Sequence, residues 1–245
     1  MKVAIVGATK GMGRALAREL AARGNSVCVL GRDADEIERS AADLRARSPA
    51  VTIGAARCDL EEPAGFEAAL DSASESLGGL DTVVVTAAMF GVQATLESDP
   101  ALLGRLLTVN FTNTVLLCEV ARRRLLAGGG GTLCVFSSVA GDRGRKPVVL
   151  YGAAKAGLSA YLEGLDHRFH AAGLRTVCVK PGFVRTAMTA GLAEPPFAGE
   201  PEAVARRVAN ALARSTPVVY APGIWRWVML IIRWLPRFVM RRVGF

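Results

Sequence analysis

Three residues within eighteen positions, Ser138, Tyr151 and Lys155, have the types and the spacing of a proton-transfer group. Tyr151 and Lys155 are four apart, so on a helix their side chains leave one face a turn apart, while Ser138 follows an apolar run, 132–136, that reads as a strand. Such a set suits reduction of a carbonyl. A phenol with an ordinary pKa of about 10 is a weak proton donor or acceptor at neutral pH. A neighbouring ammonium favours phenolate, so Lys155 is expected to bring the Tyr151 pKa down towards the working range. Tyr151 would then exchange a proton with the substrate oxygen, Ser138 would donate to the same oxygen, and hydride would come from a reduced nicotinamide.

These side chains need a rigid frame, and the chain carries the pattern of one. Apolar runs at 3–6, 26–30, 51–56, 82–85, 132–136, 176–179 and 218–220 alternate with helical stretches, which predicts an α/β domain with a parallel sheet covered on both faces. The first run ends in Gly7-Ala8-Thr9-Lys10-Gly11-Met12-Gly13 and passes into a helix. Such a glycine turn lets backbone amides and a helix N-terminus approach a pyrophosphate. The second run ends in Gly31-Arg32 without an acid to take a ribose hydroxyl. Arg32 and Lys10 are therefore placed to pair with the 2′-phosphate of NADP.

Asp59, beside Leu60, can accept from an adenine amino group or cap the helix that Pro63 opens. Thr86, Ala87 and Ala88 are small enough for a ribose to lie against the backbone. A helix is predicted over 99–127 with an interruption near Gly104, and Asn110 within it needs polar partners. Ligands of open parallel sheets bind at the carboxyl edge, where Ser138 lies and where Pro181, Gly182, Val184 and Thr186 leave the sixth strand. Residues 188–200, rich in Pro, Gly and Ala, read as a flap over the substrate.

The whole chain of 245 residues is 51% hydrophobic and 21% charged, which excludes a disordered protein and suits one domain. The start runs directly into a strand pattern, so a cytoplasmic location is expected. Five cysteines without C-x-x-C spacing read as buried thiols, and the histidines His167 and His170 lack the partners of a metal site. A net charge of +8 needs a partner or a place. Arg122, Arg123 and Arg124 suit a helix C-terminus.

The tail, 222–245, differs from the catalytic region 1–221, because it mixes five arginines with three tryptophans and has no acid. Its apolar run is about a dozen residues, against roughly 20 needed to span a bilayer, and Pro236 should kink it. Arg226, Arg233, Arg237 and Arg241 recur at helical spacing, which predicts one cationic stripe on an amphipathic helix. That helix is expected to lie in a membrane interface, or else to pack on a partner subunit. Arginines set among aliphatics do not suit nucleic acid.

With the glycine turn, Asn110, Ser138, Tyr151, Lys155 and Pro181-Gly182 in order, the sequence resembles the short-chain dehydrogenase/reductase family over residues 1 to about 220. The resemblance implies a Rossmann-type, doubly wound parallel sheet of seven strands with helices on both faces, here followed by a C-terminal amphipathic helical tail. It implies that Ser138, Tyr151 and Lys155 are catalytic and that Asn110 holds a water in a proton relay through Lys155. It further implies that NADP(H) is held by Gly7, Thr9, Lys10, Gly11, Met12, Gly13, Arg32, Asp59, Leu60, Ala87, Ala88, Tyr151, Lys155, Pro181, Gly182, Val184 and Thr186. The sequence departs from the family pattern at Val6, where a Thr is usual, and at Val85-Thr86-Ala87-Ala88, where Asn-Asn-Ala-Gly is usual.

Residues 149–158, 181–188, 219–229 and 232–237 are similar to members of the family that reduce a polyprenyl-phosphate-linked 2-keto sugar beside a flavin-dependent oxidase. That similarity implies a lipid-linked ketone as substrate and contact with the inner face of the cytoplasmic membrane. Family habit implies a homodimer or homotetramer formed by the helices bearing Asn110 and Tyr151. Other readings are a reductase of 3-ketosphinganine or of 3-oxoacyl groups, and a non-catalytic sensor of NADP.

Overall fold

The seven apolar runs form the strands β1 (Lys2–Val6), β2 (Ser26–Gly31), β3 (Ile53–Arg57), β4 (Thr82–Val85), β5 (Gly131–Phe136), β6 (Leu174–Pro181) and β7 (Val218–Ala221) of one sheet. The computed structural model describes residues 1–242. All strands run parallel in the order β3-β2-β1-β4-β5-β6-β7, so the chain winds outward twice from β1 and β4. A crevice at the carboxyl ends of the strands follows from that reversal.

Among the described residues there are ten α-helices: α1 (Gly11–Ala22), α2 (Ala34–Arg47), α3 (Phe66–Leu77), α4 (Gln93–Ser98), α5 (Pro100–Leu107), α6 (Thr114–Ala127), α7 (Val149–Phe169), α8 (Pro201–Arg214), α9 (Trp225–Trp234) and α10 (Arg237–Met240). Successive strand residues serve opposite layers. Val3 and Ile5 meet Leu16 and Leu20 of α1, Ile37 and Leu44 of α2, and Val204 and Val208 of α8 in one core. Ala4 and Val6 join the other core, with Phe66 and Leu70 of α3, Leu117 and Leu125 of α6, and Leu158 and Leu162 of α7. Burial on both faces is why the strands read as unbroken apolar runs.

The predicted break near Gly104 lies elsewhere. Gly104 is an exposed residue inside α5, and the irregularity is a π turn, Thr108–Asn113, between α5 and α6. A single exposed glycine costs a helix only about 1 kcal/mol. Polar pairing accompanies the π turn instead, since the Thr114 hydroxyl donates to Val109 O at 2.8 Å and the Asn110 and Asn113 amides reach other segments. Among the described residues, Pro100–Ala127 is long and apolar enough to cross a membrane, yet Leu106, Leu117, Cys118, Ala121 and Leu125 within it are buried in the protein.

The tail is a broken helix with two faces. Trp225, Met229 and Ile232 of α9 are buried in a small cluster with Val139. Trp227, Leu230, Ile231, Trp234 and Phe238 face outward, and Trp234 is 82% exposed. Extended backbone at Leu235 and Pro236 ends α9, so α10 starts a separate helix. The expected single arginine stripe is therefore split. Arg226 and Arg233 stand with Arg207 and Arg214 of α8, whereas Arg237 and Arg241 stand with Arg143, Arg145 and Lys146.

Candidate functional site

The glycine turn is shaped first by the chain's own packing. A Cβ on Gly7 would lie 2.6 Å from Ala87 N, and one on Gly13 would lie 2.1 Å from Gly7 O, so neither position admits a side chain without displacing backbone. Thr86 Oγ1 sits 3.0 Å from Val6 O and 3.1 Å from Gly7 O and ties the end of β4 to the turn. Gly11, Met12 and Gly13 bring the first turn of α1 to the wall of a cleft of about 350 Å³. The N-cap residue, Lys10, makes no side-chain cap. Free first-turn amides and the positive end of the helix suit an anion there.

Twelve of the residues expected to hold the cofactor line this cleft together: Gly7, Thr9, Lys10, Gly11, Met12, Gly13, Arg32, Asp59, Leu60, Ala87, Ala88 and Thr186. Thr86, expected beside the ribose, and Met188, from the expected flap, line it too, and Glu61, Met89 and Val109 join them without having been expected. Cradle and donor set fit a nicotinamide dinucleotide. Gly7, Gly11 and Gly13 line it without a Cβ, and the cations Lys10 and Arg32 line it with them.

Those cations have acidic neighbours that the sequence pattern did not show. Lys10 Nζ lies 3.9 Å from Glu36, and Arg32 lies 3.7 Å from Glu61. Each glutamate is held closer by another arginine, Glu36 by Arg39 at 2.7 Å and Glu61 by Arg105 at 2.6 Å. The Arg105 hydrogen bonds, more than the charge of Arg32, keep the Glu61 carboxyl below its usual range. Lys10 and Arg32 thus keep most of their charge for a ligand. Asp59 Oδ1 accepts from Glu61 N at 3.0 Å and its second oxygen lies 3.7 Å from Arg57, but the turn that Pro63 opens is preceded by Glu62 and has no side-chain cap, so Asp59 does not cap it. Asn113, not foreseen, donates to Leu60 O at 2.6 Å and fixes the same corner.

Five of the expected residues, Tyr151, Lys155, Pro181, Gly182 and Val184, are not among those lining the cleft. Pro181 is buried at the end of β6, and its carbonyl receives the Ser138 hydroxyl at 3.4 Å. Val184 is buried and bridges to Gly199. Gly182 makes room for the tail, because a Cβ there would lie 2.0 Å from Trp225 Nε1. That glycine therefore answers to an indole.

Ser138 caps a short 3-10 turn after β5, accepting from Ala140 N at 3.1 Å. Tyr151 and Lys155 lie in the first two turns of α7. Lys155 is 2% exposed, and its Nζ donates to Phe136 O at 2.8 Å. Ser137 and Ser159, which periodicity did not single out, stand 2.8 and 3.0 Å from Lys155 O and 2.8 Å from each other, so that one hydroxyl donates to the carbonyl and the other can donate to its partner. A signal was present: Ser137 adjoins Ser138 and so points to the other side of the strand end. Phe90 packs edge-on against Tyr151 at 5.3 Å.

Electrostatics correct one expectation. Burial pushes the Tyr151 phenol up to about 12, with the Ser138 hydroxyl acting the other way, whereas the sequence predicts a lowered value. Lys155 Nζ is 5.7 Å from the centre of the Tyr151 ring and is anchored to Phe136 O, so its attraction for a phenolate does not outweigh desolvation. Burial also lowers Lys155 to about 8. Tyr151 holds its proton, and that of Lys155 becomes mobile near neutrality. Both features suit delivery of a proton.

Asn110 is buried and clamps a loop. Its Oδ1 accepts from Met89 N and its Nδ2 donates to Met89 O, both at 2.7 Å. One Nδ2 hydrogen is then left for the water expected of it.

The sequence profile of the short chain dehydrogenases matches residues 1–196. An uncharacterized oxidoreductase of Mycobacterium tuberculosis is 35% identical over 241 residues, covering 98% of this chain and 96% of its own. The cis-4-hydroxycyclohexanecarboxylate dehydrogenase of Sinomonas cyclohexanicum is 32% identical, over 90% of this chain and 87% of its own. Among solved structures, a short-chain dehydrogenase from Sphingobium yanoikuyae in complex with NADPH superposes with a TM-score of 0.81 at 26% identity, over 93% of this chain and 91% of that one.

Proposed function

Since the chain belongs to the short-chain dehydrogenase/reductase family and is an oxidoreductase of alcohol/ketone pairs, we propose that it uses NADPH to reduce the ketone of a lipid-linked substrate, a 2-keto sugar on polyprenyl phosphate. The observation that carries this reading is the meeting of Ser138, Tyr151 and Lys155 at the carboxyl end of β5, with Phe90 against Tyr151 and Val139 against the tail. Gly7, Gly11, Met12 and Gly13 would hold the pyrophosphate, Lys10 and Arg32 the 2′-phosphate, and Ala87 and Ala88 the ribose next to it. A reduced nicotinamide, when bound, supplies hydride to the carbonyl carbon.

The chain's own residues do the rest. Tyr151 gives its phenolic proton to the ketone oxygen, and Ser138 donates a hydrogen bond to the same atom as negative charge grows on it. Lys155 steadies the phenolate left behind, and its lowered pKa lets it return a proton. Asn110 holds Met89 at the cleft wall and offers its remaining Nδ2 hydrogen to a relay water.

Support for a lipid substrate comes from the tail. Its outward tryptophans, aliphatics and arginines have the composition of a membrane-interface helix. The sequence similarity of the second half and the tail to decaprenylphosphoryl-2-keto-ribose reductase favours a keto pentose, with a flavin-dependent oxidase as the source of the ketone and the cytoplasmic face of the membrane as the place. Phe111 and Leu116, exposed on the helices around Asn110, suit contact with a second copy. The test is to incubate the full chain with NADPH and membrane lipid extract and to identify by mass spectrometry the lipid that gains two hydrogens. No such lipid, or equal conversion by Tyr151→Phe, would overturn the proposal.

A further inference from the structure

The loop 143–146, between Ser138 and Tyr151, meets α10 around a second cavity of about 440 Å³. Arg143, Arg145, Lys146, Arg237 and Arg241 line it, and among the described residues no carboxylate does. Two of these cations fasten the tail without neutralising it. Arg143 Nη2 donates to Leu235 O at 2.9 Å, and Lys146 Nζ donates to Arg241 O at 2.6 Å. None of the five has an ion-pair partner among the described residues, although seventeen other ion pairs of lysine and arginine are present there.

Arg145 is the central group. Its Nε is enclosed and has no hydrogen-bond partner. Asp142, the acid that acts on it, is committed to Lys180 at 2.5 Å and to the Tyr220 hydroxyl at 2.7 Å. A half-buried guanidinium whose enclosed Nε has no partner among the described residues, set among four further cations, favours the arrival of an anion. Val149 also lines the cavity and opens the 21-residue helix α7, whose positive end adds to the same field. Tyr151 follows two residues later.

We propose that this cavity is the phosphate subsite for the lipid-linked substrate, holding the phosphate ester while the sugar reaches Tyr151 and the lipid chain leaves over Trp234 and Phe238. The lipid identity rests on the function proposed above, but phosphate capture does not depend on the redox chemistry. Planar, multidentate arginine contacts suit phosphate oxygens.

The test is calorimetric titration of the full chain with dodecyl phosphate in neutral detergent, without NADPH or ketone. Arg145→Gln, and separately the exposed pair Arg237→Gln/Arg241→Gln, should each weaken binding at least about tenfold, as expected for losing charge-assisted hydrogen bonds. Inorganic phosphate should bind more weakly than dodecyl phosphate, and vesicles of phosphatidylglycerol should not displace the latter. Circular dichroism checks that each variant is folded. Equal binding by folded variants would overturn the subsite, and so would no binding by the wild-type chain. Displacement by the vesicles would overturn it too, because it would assign the cavity to bulk headgroups. If lipid extract yields a reduced keto lipid while dodecyl phosphate does not bind, the subsite alone fails. If dodecyl phosphate binds but no lipid is reduced, the reductase reading alone fails.

Discussion

At the end of β5 one buried cation, Lys155, is anchored to Phe136 O, and its neighbours Ser137, Ser159 and Asn110 all have partners within the chain. Around α9 and α10 the opposite holds. Arg143, Arg145, Lys146, Arg237 and Arg241 gather without acids among the described residues, and Trp227, Ile231, Trp234 and Phe238 stand exposed. The first region spends its polar groups on holding a geometry, as preorganised chemistry requires. The second leaves polar and apolar groups unspent, as a surface that meets a ligand must. Each large apolar side chain moved out of water there would contribute about 1.5–3 kcal/mol, none of it counted in folding.

The sharpest way to break this contrast is Tyr151→Phe. Turnover should fall by about 10²-fold or more, the usual size of a general-acid contribution, while NADPH affinity stays within about twofold. Retained turnover would show that the well-paired region is not the reaction centre.

On the other side, replacing Trp227, Trp234 and Phe238 together by serine should reduce sedimentation with anionic vesicles at least about tenfold, at unchanged thermal stability. Truncation after Pro222 is a poorer test, because it strips Trp225, Met229 and Ile232 from Val139, the neighbour of Ser138. Vesicle binding by the serine variant equal to that of the wild type would remove the membrane role of the outward face.

Cofactor choice offers an intermediate case, since Lys10 and Arg32 are cations with loosely placed acids. Arg32→Asp should shift the NADPH/NADH affinity ratio towards NADH by about tenfold, by repulsion of the 2′-phosphate. Competitive titration reads this directly, and an unchanged ratio would leave Arg32 as a solvated charge.

The smallest effect concerns Lys155. Its folded pKa of about 8 lies below the ordinary 10.5, so between about pH 8 and 10 the unfolded chain keeps a proton that the folded chain has released. Unfolding binds that proton, which means that stability from this group falls short below pH 8 and rises across the window. Tyr151, raised to about 12, adds a fall only above its ordinary value of 10. Melting curves should show wild-type Tm gaining a few degrees on Lys155→Met between pH 8 and 10. Parallel curves would mean that Lys155 is not desolvated.

The sequence by itself determined the sheet and the chemistry-bearing set. Strands buried on both faces must be apolar throughout, and Gly7 and Gly13 must lack a Cβ where β1, β4 and α1 meet, so both features are visible along the chain. Contacts through space were decided only by the fold. The asparagines of the π turn after Leu107 pair with Met89 and Leu60, and the glutamates beside Lys10 and Arg32 arrive from α2 and from the loop after β3. Gly182 answers to Trp225, and the arginine stripe divides because Leu235 and Pro236 end one helix and α10 begins another. The Tyr151 pKa depends on whether desolvation or a cation wins, which spacing along a helix does not contain. Periodicity records which face of an element is buried, but not which distant segment buries it or which charges come with that segment.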